Sequence, residues 1–154
     1  MVWELQRNSN TPIIMKRTQI GFAMLMLAFG IGAGAMGAHS LENVLSLRYL
    51  QVWETAWRYW MYNMLGIMVL ATFVDPIRNA DQLSDKFYGK WGVFRWLWIG
   101  SVTFTGTLCL VSVNELFGHG LRKFGAITPI GGMILIFAWA IGGIALLRHR
   151  KQFQ

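Results

Sequence analysis

Of the 154 residues, 55% are hydrophobic and 14% are charged, against a usual charged quarter or so in soluble domains. A water-soluble domain of this make-up would expose large apolar patches, which excludes a soluble enzyme or binding module. The net charge of +7 would point to nucleic acid in a soluble protein, but here the basic residues lie beside long apolar runs and act as membrane-flanking anchors.

Residues 1–19 read as a polar, basic extension carrying Arg7, Lys16 and Arg17. It does not resemble a signal peptide: no A-x-A-like site follows the first apolar run, and that run is long enough to span a bilayer. The first span is expected at 20–38, free of charge throughout. Gly32, Gly34 and Gly37 fit G-x-G-x-x-G literally, but no strand precedes them and no βαβ unit surrounds them, so a nucleotide site is rejected. Packing is the better reading: Gly30 and Gly34 have GxxxG spacing, and Ala33 and Gly37 repeat it. Between 40 and 51, Leu41, Val44, Leu45 and Tyr49 fall on one face of a short interfacial helix. A straight helix from there to 74 would be about 50 Å long, so a bend or a surface-lying piece is expected.

The second span is expected at 52–74, stopped by Asp75-Pro76. At 100° per residue Glu54, Thr55, Arg58, Tyr59, Tyr62, Asn63 and Gly66 share one half, and Trp53, Trp57, Trp60 and Met64 the other. The polar half is expected to face the bundle, and the tryptophan half to face lipid or a partner protein. Glu54 and Arg58, four apart near the span's start, are read as a structural pair. A long loop, 75–95, leads to a third span at 96–113. Its Ser101, Thr103, Thr105 and Thr107 hydroxyls can bond back to their own helix or across to another. Cys109 reads as an inert thiol. The fourth span is expected at 127–147, with Gly131 and Gly132 near its start and Ala138 and Gly142 at small-xxx-small spacing; a basic tail, 148–154, follows.

With four spans, Arg7, Lys16, Arg17, Arg78, Lys86, Lys90, Arg95, Arg148, Arg150 and Lys151 share one side, and Arg48, Arg58, Arg122 and Lys123 the other. That asymmetry places both termini on the positive-inside face, cytoplasm or matrix. His39 and His119 lie on the opposite face and with Glu54 or Glu115 form the one conceivable metal set, but no tight ligand spacing supports it. No histidine sits in mid-span for haem, and no nucleophile has a neighbouring base. No cofactor and no metal is expected.

Four segments together carry a family resemblance: Gly34-Ala-Met-Gly-Ala-His39, Trp53-Glu-Thr-Ala-Trp-Arg-Tyr59, Phe104-Thr-Gly-Thr107, and Phe124-Gly-Ala-Ile-Thr-Pro-Ile-Gly-Gly132. Over residues 20–147 the chain resembles a domain-of-unknown-function family of small four-span membrane proteins, typified by bacterial YgdD and with eukaryotic members. The resemblance implies the four-span bundle and no established enzymatic activity. The matching polar positions His39, Glu54, Thr55, Arg58, Tyr59 and Thr128 imply a shared network at one bundle end. Asn63 stands where the family often has histidine, and the N-terminal extension and the long middle loop are additions.

These readings converge on an all-α, integral membrane four-helix bundle without enzymatic activity. The leading expectation is an accessory or assembly subunit of a respiratory-type complex in the mitochondrial inner membrane. It would dock through Trp53, Trp57 and Trp60 and hold lipid, cardiolipin included, on its basic face. The alternative is a small transporter or a ligand- or lipid-binding protein, as a monomer or a homo-oligomer, with the bacterial inner membrane as the other location.

Overall fold

The computed structural model describes residues 2–74, 82–117 and 120–149, with side chains from Ile14 onward except at 82, 121, 122 and 149. Among these residues the fold is all-α. Helix α1 is Val2–Met36, α2 Leu47–Phe73, α3 Gln82–Tyr88, α4 Val93–Ser112 and α5 Thr128–His149. A π-turn, Gly37–Leu41, ends α1, and short 3-10 turns at Val113–Glu115 and Gly120–Ala126 join α4 to α5. Three segments, Ile14–Leu41, Leu83–Glu115 and Lys123–Arg148, are long and apolar enough to cross a membrane. Helix α2, at 27 residues, has the length, but Glu54, Arg58, Asn63 and its tyrosines dilute its apolar character.

Several boundaries differ from those expected. Helix α1 starts at Val2, not at 20, because the polar residues before the apolar run do not halt a helix once it has nucleated. No separate interfacial helix forms at 40–51. The chain bends at 42–46, with the amides of Val44 and Leu45 on the Leu41 carbonyl, and α2 starts at Leu47. Ser46 is the extended N-cap residue (ψ 154°), and its backbone N–H donates to Glu115 Oε2 at 2.8 Å. A carboxylate from the α4–α5 connection thus sits at the positive end of α2. The expected loop at 75–95 contains α3, whose Leu83 and Phe87 are buried one turn apart.

The long helices alternate in direction. Trp53 meets α1 at Ala33 and Gly37, while Trp60 meets it at Met26 and Gly30. Helix α2 then packs on α4 through Ala56, Thr105, Tyr59 and Phe104, and α4 on α5 through Gly100, Leu135, Phe104 and Gly131. Helices α2 and α4 form the central pair, with α1 and α5 on its flanks. Outward faces are apolar: Phe22, Leu25 and Phe29 on α1, Leu65, Val69 and Phe73 on α2, Ile136 and Ile141 on α5. A patch of this extent suits lipid, not water.

The largest correction concerns Trp53, Trp57 and Trp60. They do not face outward. They are 8%, 7% and 6% exposed and insert into the small-residue stripe Ala23, Gly30, Ala33, Gly37 of α1. A Cβ on Gly30 would lie 2.5 Å from Trp60 Cδ1, and one on Gly37 2.8 Å from Trp53 Cδ1, so only glycine admits the rings. Each outer indole N–H finds a helix carbonyl: Trp53 Nε1 donates to Ala33 O at 3.0 Å, Trp60 Nε1 to Met26 O at 2.7 Å. Trp57 lies edge-on to Trp53, Trp60 and Phe29, beside Gly34. The physical reason is volume. Lipid supplies no hydrophobic drive between helices, so association rests on close contact, and a tryptophan laid in a glycine groove gives more of it than any other pair.

The same device closes the other flank. Gly131 brings α5 so near α4 that an added Cβ would sit 2.6 Å from Phe104 N, a backbone atom that cannot rotate away. Gly30→Ala and Gly131→Ala should each lower stability by about 1–3 kcal/mol, the usual range for overpacking. Gly32 and Gly143 have nothing within 4 Å of an added Cβ. Gly32→Ala and Gly143→Ala should be neutral or stabilising by about 0.5–1 kcal/mol, the helix-propensity gain. Unfolding titrations in mixed detergent micelles read all four, and equal effects across both pairs would contradict the packing described. Glu115→Ala removes the carboxylate from the start of α2 and should cost about 0.5–2 kcal/mol in the same assay, with Ser46→Gly much less.

Candidate functional site

The polar residues that carry the family resemblance do not gather into one network. Glu54 and Arg58 approach to 4.0 Å with side chains 54% and 57% exposed, a loose pair on the outward face of α2. Below them the same face runs through Tyr62, Leu65, Val69 and Phe73. The charged pair therefore lies on the exposed surface of α2, not on a path through the bundle. His39 is exposed on the π-turn. Thr128 Oγ1 donates to Thr107 Oγ1 at 2.9 Å, and Thr107 Oγ1 in turn donates to Thr103 O and Phe104 O, tying the start of α5 to α4. Thr105 bonds across to Ala56 O on α2, so the α4 hydroxyls act both within their helix and between helices. No group of three metal-ligating side chains occurs among the described residues, and His119 lies outside them.

Thr55 and Tyr59 do share a site, on the polar half of α2. With Tyr62, Asn63, Phe104, Gly132, Leu135, Ile136 and Trp139 they line a groove of about 840 Å³ between α2, α4 and α5. Its floor is built by one interaction. Trp139 Nε1 of α5 donates to Asn63 Oδ1 at 2.9 Å, and Asn63 Nδ2 donates to Tyr59 O at 2.8 Å. Gly66 makes room, since an added Cβ would lie 2.6 Å from Trp139 Cη2. Asn63 is buried and both ends of its amide are satisfied, as a polar group at membrane depth requires. Leu135 and Phe104 add apolar surface beside it.

The groove's walls differ from its floor. Tyr59 and Tyr62 are 47% and 61% exposed, stand edge to face at 6.1 Å, and Tyr59 also meets Phe104 at 5.4 Å. Thr55 Oγ1 is bonded to Gln51 O. Neither phenol has a hydrogen-bond partner among the described residues. Ile136, on the opposite wall, is 67% exposed. The result is an open slot with two phenols in one wall and an otherwise mostly apolar surface. A carboxylate, an amine or a thiol is not among its lining groups. The polar half of α2 was legible in the sequence, but Asn63, Gly66 and Trp139 were not linked, because a bond across 76 positions leaves no local pattern.

Comparison with known proteins agrees with the membrane reading. A family model described as "Protein of unknown function (DUF423)" matches residues 33–132. "UPF0382 membrane protein YwdK" of Bacillus subtilis is 34% identical over 119 residues, covering 77% of this chain and 87% of the relative. "UPF0382 membrane protein SSP2132" of Staphylococcus saprophyticus is 38% identical over 109 residues, covering 71% and 79%. These relatives are bacterial, which fits a bacterial membrane and gives no support to a mitochondrial one. No solved structure matches. The groove's α2 and α4 walls and Gly132 fall inside the matched region, and the chain belongs to the DUF423 family of membrane proteins of unknown function.

Proposed function

We propose that this chain is a non-enzymatic four-span membrane protein that binds an amphipathic, lipid-soluble ligand in the groove between α2, α4 and α5. The observation that carries the proposal is the groove's lining. Its volume lies in the range of small-molecule sites, its surface is mostly apolar, and the Tyr59 and Tyr62 hydroxyls stand in its wall without a partner among the described residues. A ligand with a small hydroxyl or carbonyl head would bond Tyr59 and Tyr62, lay its tail along Leu135, Ile136 and Trp139, and enter from the bilayer without crossing water. The lining groups include no carboxylate, amine, imidazole or thiol beside the hydroxyls to activate them, which favours binding over catalysis.

The accessory-subunit reading loses its main support, because the three tryptophans expected to dock a partner are occupied by α1. Transport through Glu54 is likewise less favoured, since Glu54 points outward and away from the groove. Native mass spectrometry of the chain purified with its own lipids tests the groove. A bound mass should appear on the wild type, persist in Gly143→Trp and vanish in Gly132→Trp, which places an indole in the slot. A mass that survives Gly132→Trp would assign it elsewhere and sink this reading.

The fourth span is α2. Its antiparallel packing between α1 and α4 and its apolar outward stripe support a crossing despite its tyrosines. An even number of crossings puts both termini on one side, the cytoplasmic side by the Lys/Arg asymmetry. Reporter fusions active only in the cytoplasm should therefore be active at both the N- and the C-terminus. Opposite-side termini would reduce the count to three and place α2 at the membrane surface.

A further inference from the structure

A second cleft lies on the other side of α5, at the opposite end of the bundle. It has a volume of about 620 Å³ and runs between α3, the α3–α4 turn and α5. Its two parts differ in chemistry. Ile134, Phe137 and Ile141 of α5 form an apolar wall about 10 Å long at the helical rise. Asp85, Lys86, Lys90 and Trp91 form the rim.

The rim sits at a membrane boundary. Helix α3 falls between the end of α2 and the start of α4, and is held there by Leu83 and Phe87 in the core and by Tyr88 Oη donating to Val74 O at 3.1 Å. Trp91 stacks on Trp96 at 6.0 Å and 25°, and Trp91 is 67% exposed, the placement of an interfacial aromatic anchor. Two cations flank the Trp91 ring: Lys90 Nζ lies 6.0 Å from its centroid and the Arg95 guanidinium 5.6 Å. Arg95 Nη1 also donates to Lys90 O at 3.0 Å, which fixes it beside the rim. Asp85 is the one acid of the rim, and its carboxylate lies over Gly89. Neither Lys86 nor Lys90 has a carboxylate partner among the described residues. The rim is thus net positive, beside an apolar wall that continues into the bilayer.

We propose that this cleft binds one anionic phospholipid, its phosphodiester on Lys86 and Lys90 and an acyl chain along Ile134, Phe137 and Ile141. The charge pattern selects the head, and the apolar wall selects a lipid over a free anion, which would leave that wall empty. The site lies across α5 from the tyrosine-lined groove and shares no lining residue with it, so it stands or falls independently of the function proposed above.

The test uses the full chain in phosphatidylcholine vesicles containing brominated phosphatidylglycerol or brominated phosphatidylcholine at equal mole fraction. Bromine quenches tryptophan on contact, and the Trp91 share of the emission is the difference between wild type and Trp91→Phe. Brominated phosphatidylglycerol should be enriched at Trp91 roughly fivefold over brominated phosphatidylcholine, the effect of about one net surface charge. The double variant Lys86→Gln, Lys90→Gln should abolish the preference, whereas Lys123→Gln, exposed at the other end, should keep it. All these side chains are exposed, so circular dichroism should be unchanged. Equal quenching by the two lipids, or a preference that survives the double variant, would overturn the proposal. Displacement of the brominated lipid by inorganic phosphate would also overturn it, by assigning the rim to free anions.

Discussion

The bundle depends on how closely its helices can approach. In water, apolar side chains drive helices together at any reasonable distance; in hydrocarbon they do not, because lipid is as good a neighbour as leucine. What remains is dispersion at short range and hydrogen bonding where no water competes. Trp53 and Trp60 supply both at once. Their rings fill the space left by Gly37 and Gly30, and their N–H groups reach carbonyls of α1. Trp139 repeats the arrangement at α2, seated by Gly66 and bonded to Asn63. An indole in a glycine recess thus ties α2 to α1 and, through Trp139, to α5.

That arrangement also decides which surfaces remain for function. Once α1 has taken the tryptophan half of α2, the tyrosine half is left facing outward between α4 and α5, where it becomes the wall of a groove. Once Gly131 and Gly100 have drawn α5 against α4, the two sides of α5 are left as the walls of two separate recesses. One is rimmed by neutral phenols and the other by lysines. The two recesses are therefore consequences of the packing that holds the bundle, and their chemistry differs because they open at opposite ends of it.

Much of the architecture was legible locally. The apolar runs near 20–38, 96–113 and 127–147 correspond to α1, α4 and α5, since a span is written in consecutive residues. The small-residue spacings in α1 and α5 marked helix contacts for the same reason: an i, i+4 or i, i+7 pattern is a face of one helix. Helix α3 was missed because seven residues with only Leu83 and Phe87 pointing inward carry little periodic signal. A bend or a surface-lying piece before α2 was expected from length, but the Glu115 carboxylate that accepts from the Ser46 amide comes from 69 positions away.

The sequence by itself determined that this is a helical membrane protein, where most of its crossings lie and which residues share a helix face, because each of these is set by composition and spacing within one helix. Only the tertiary structure decided which face turns inward. A helical wheel separates the tryptophans of α2 from its tyrosines, but it cannot say that α1 presents a glycine groove to the tryptophans, nor that Trp139 arrives beside Asn63. The usual expectation that polar faces turn inward in a membrane fails for Glu54 and Arg58, whose side chains lie exposed on the outer face of α2. Inward and outward are properties of the neighbours, and the neighbours are set by long-range contact.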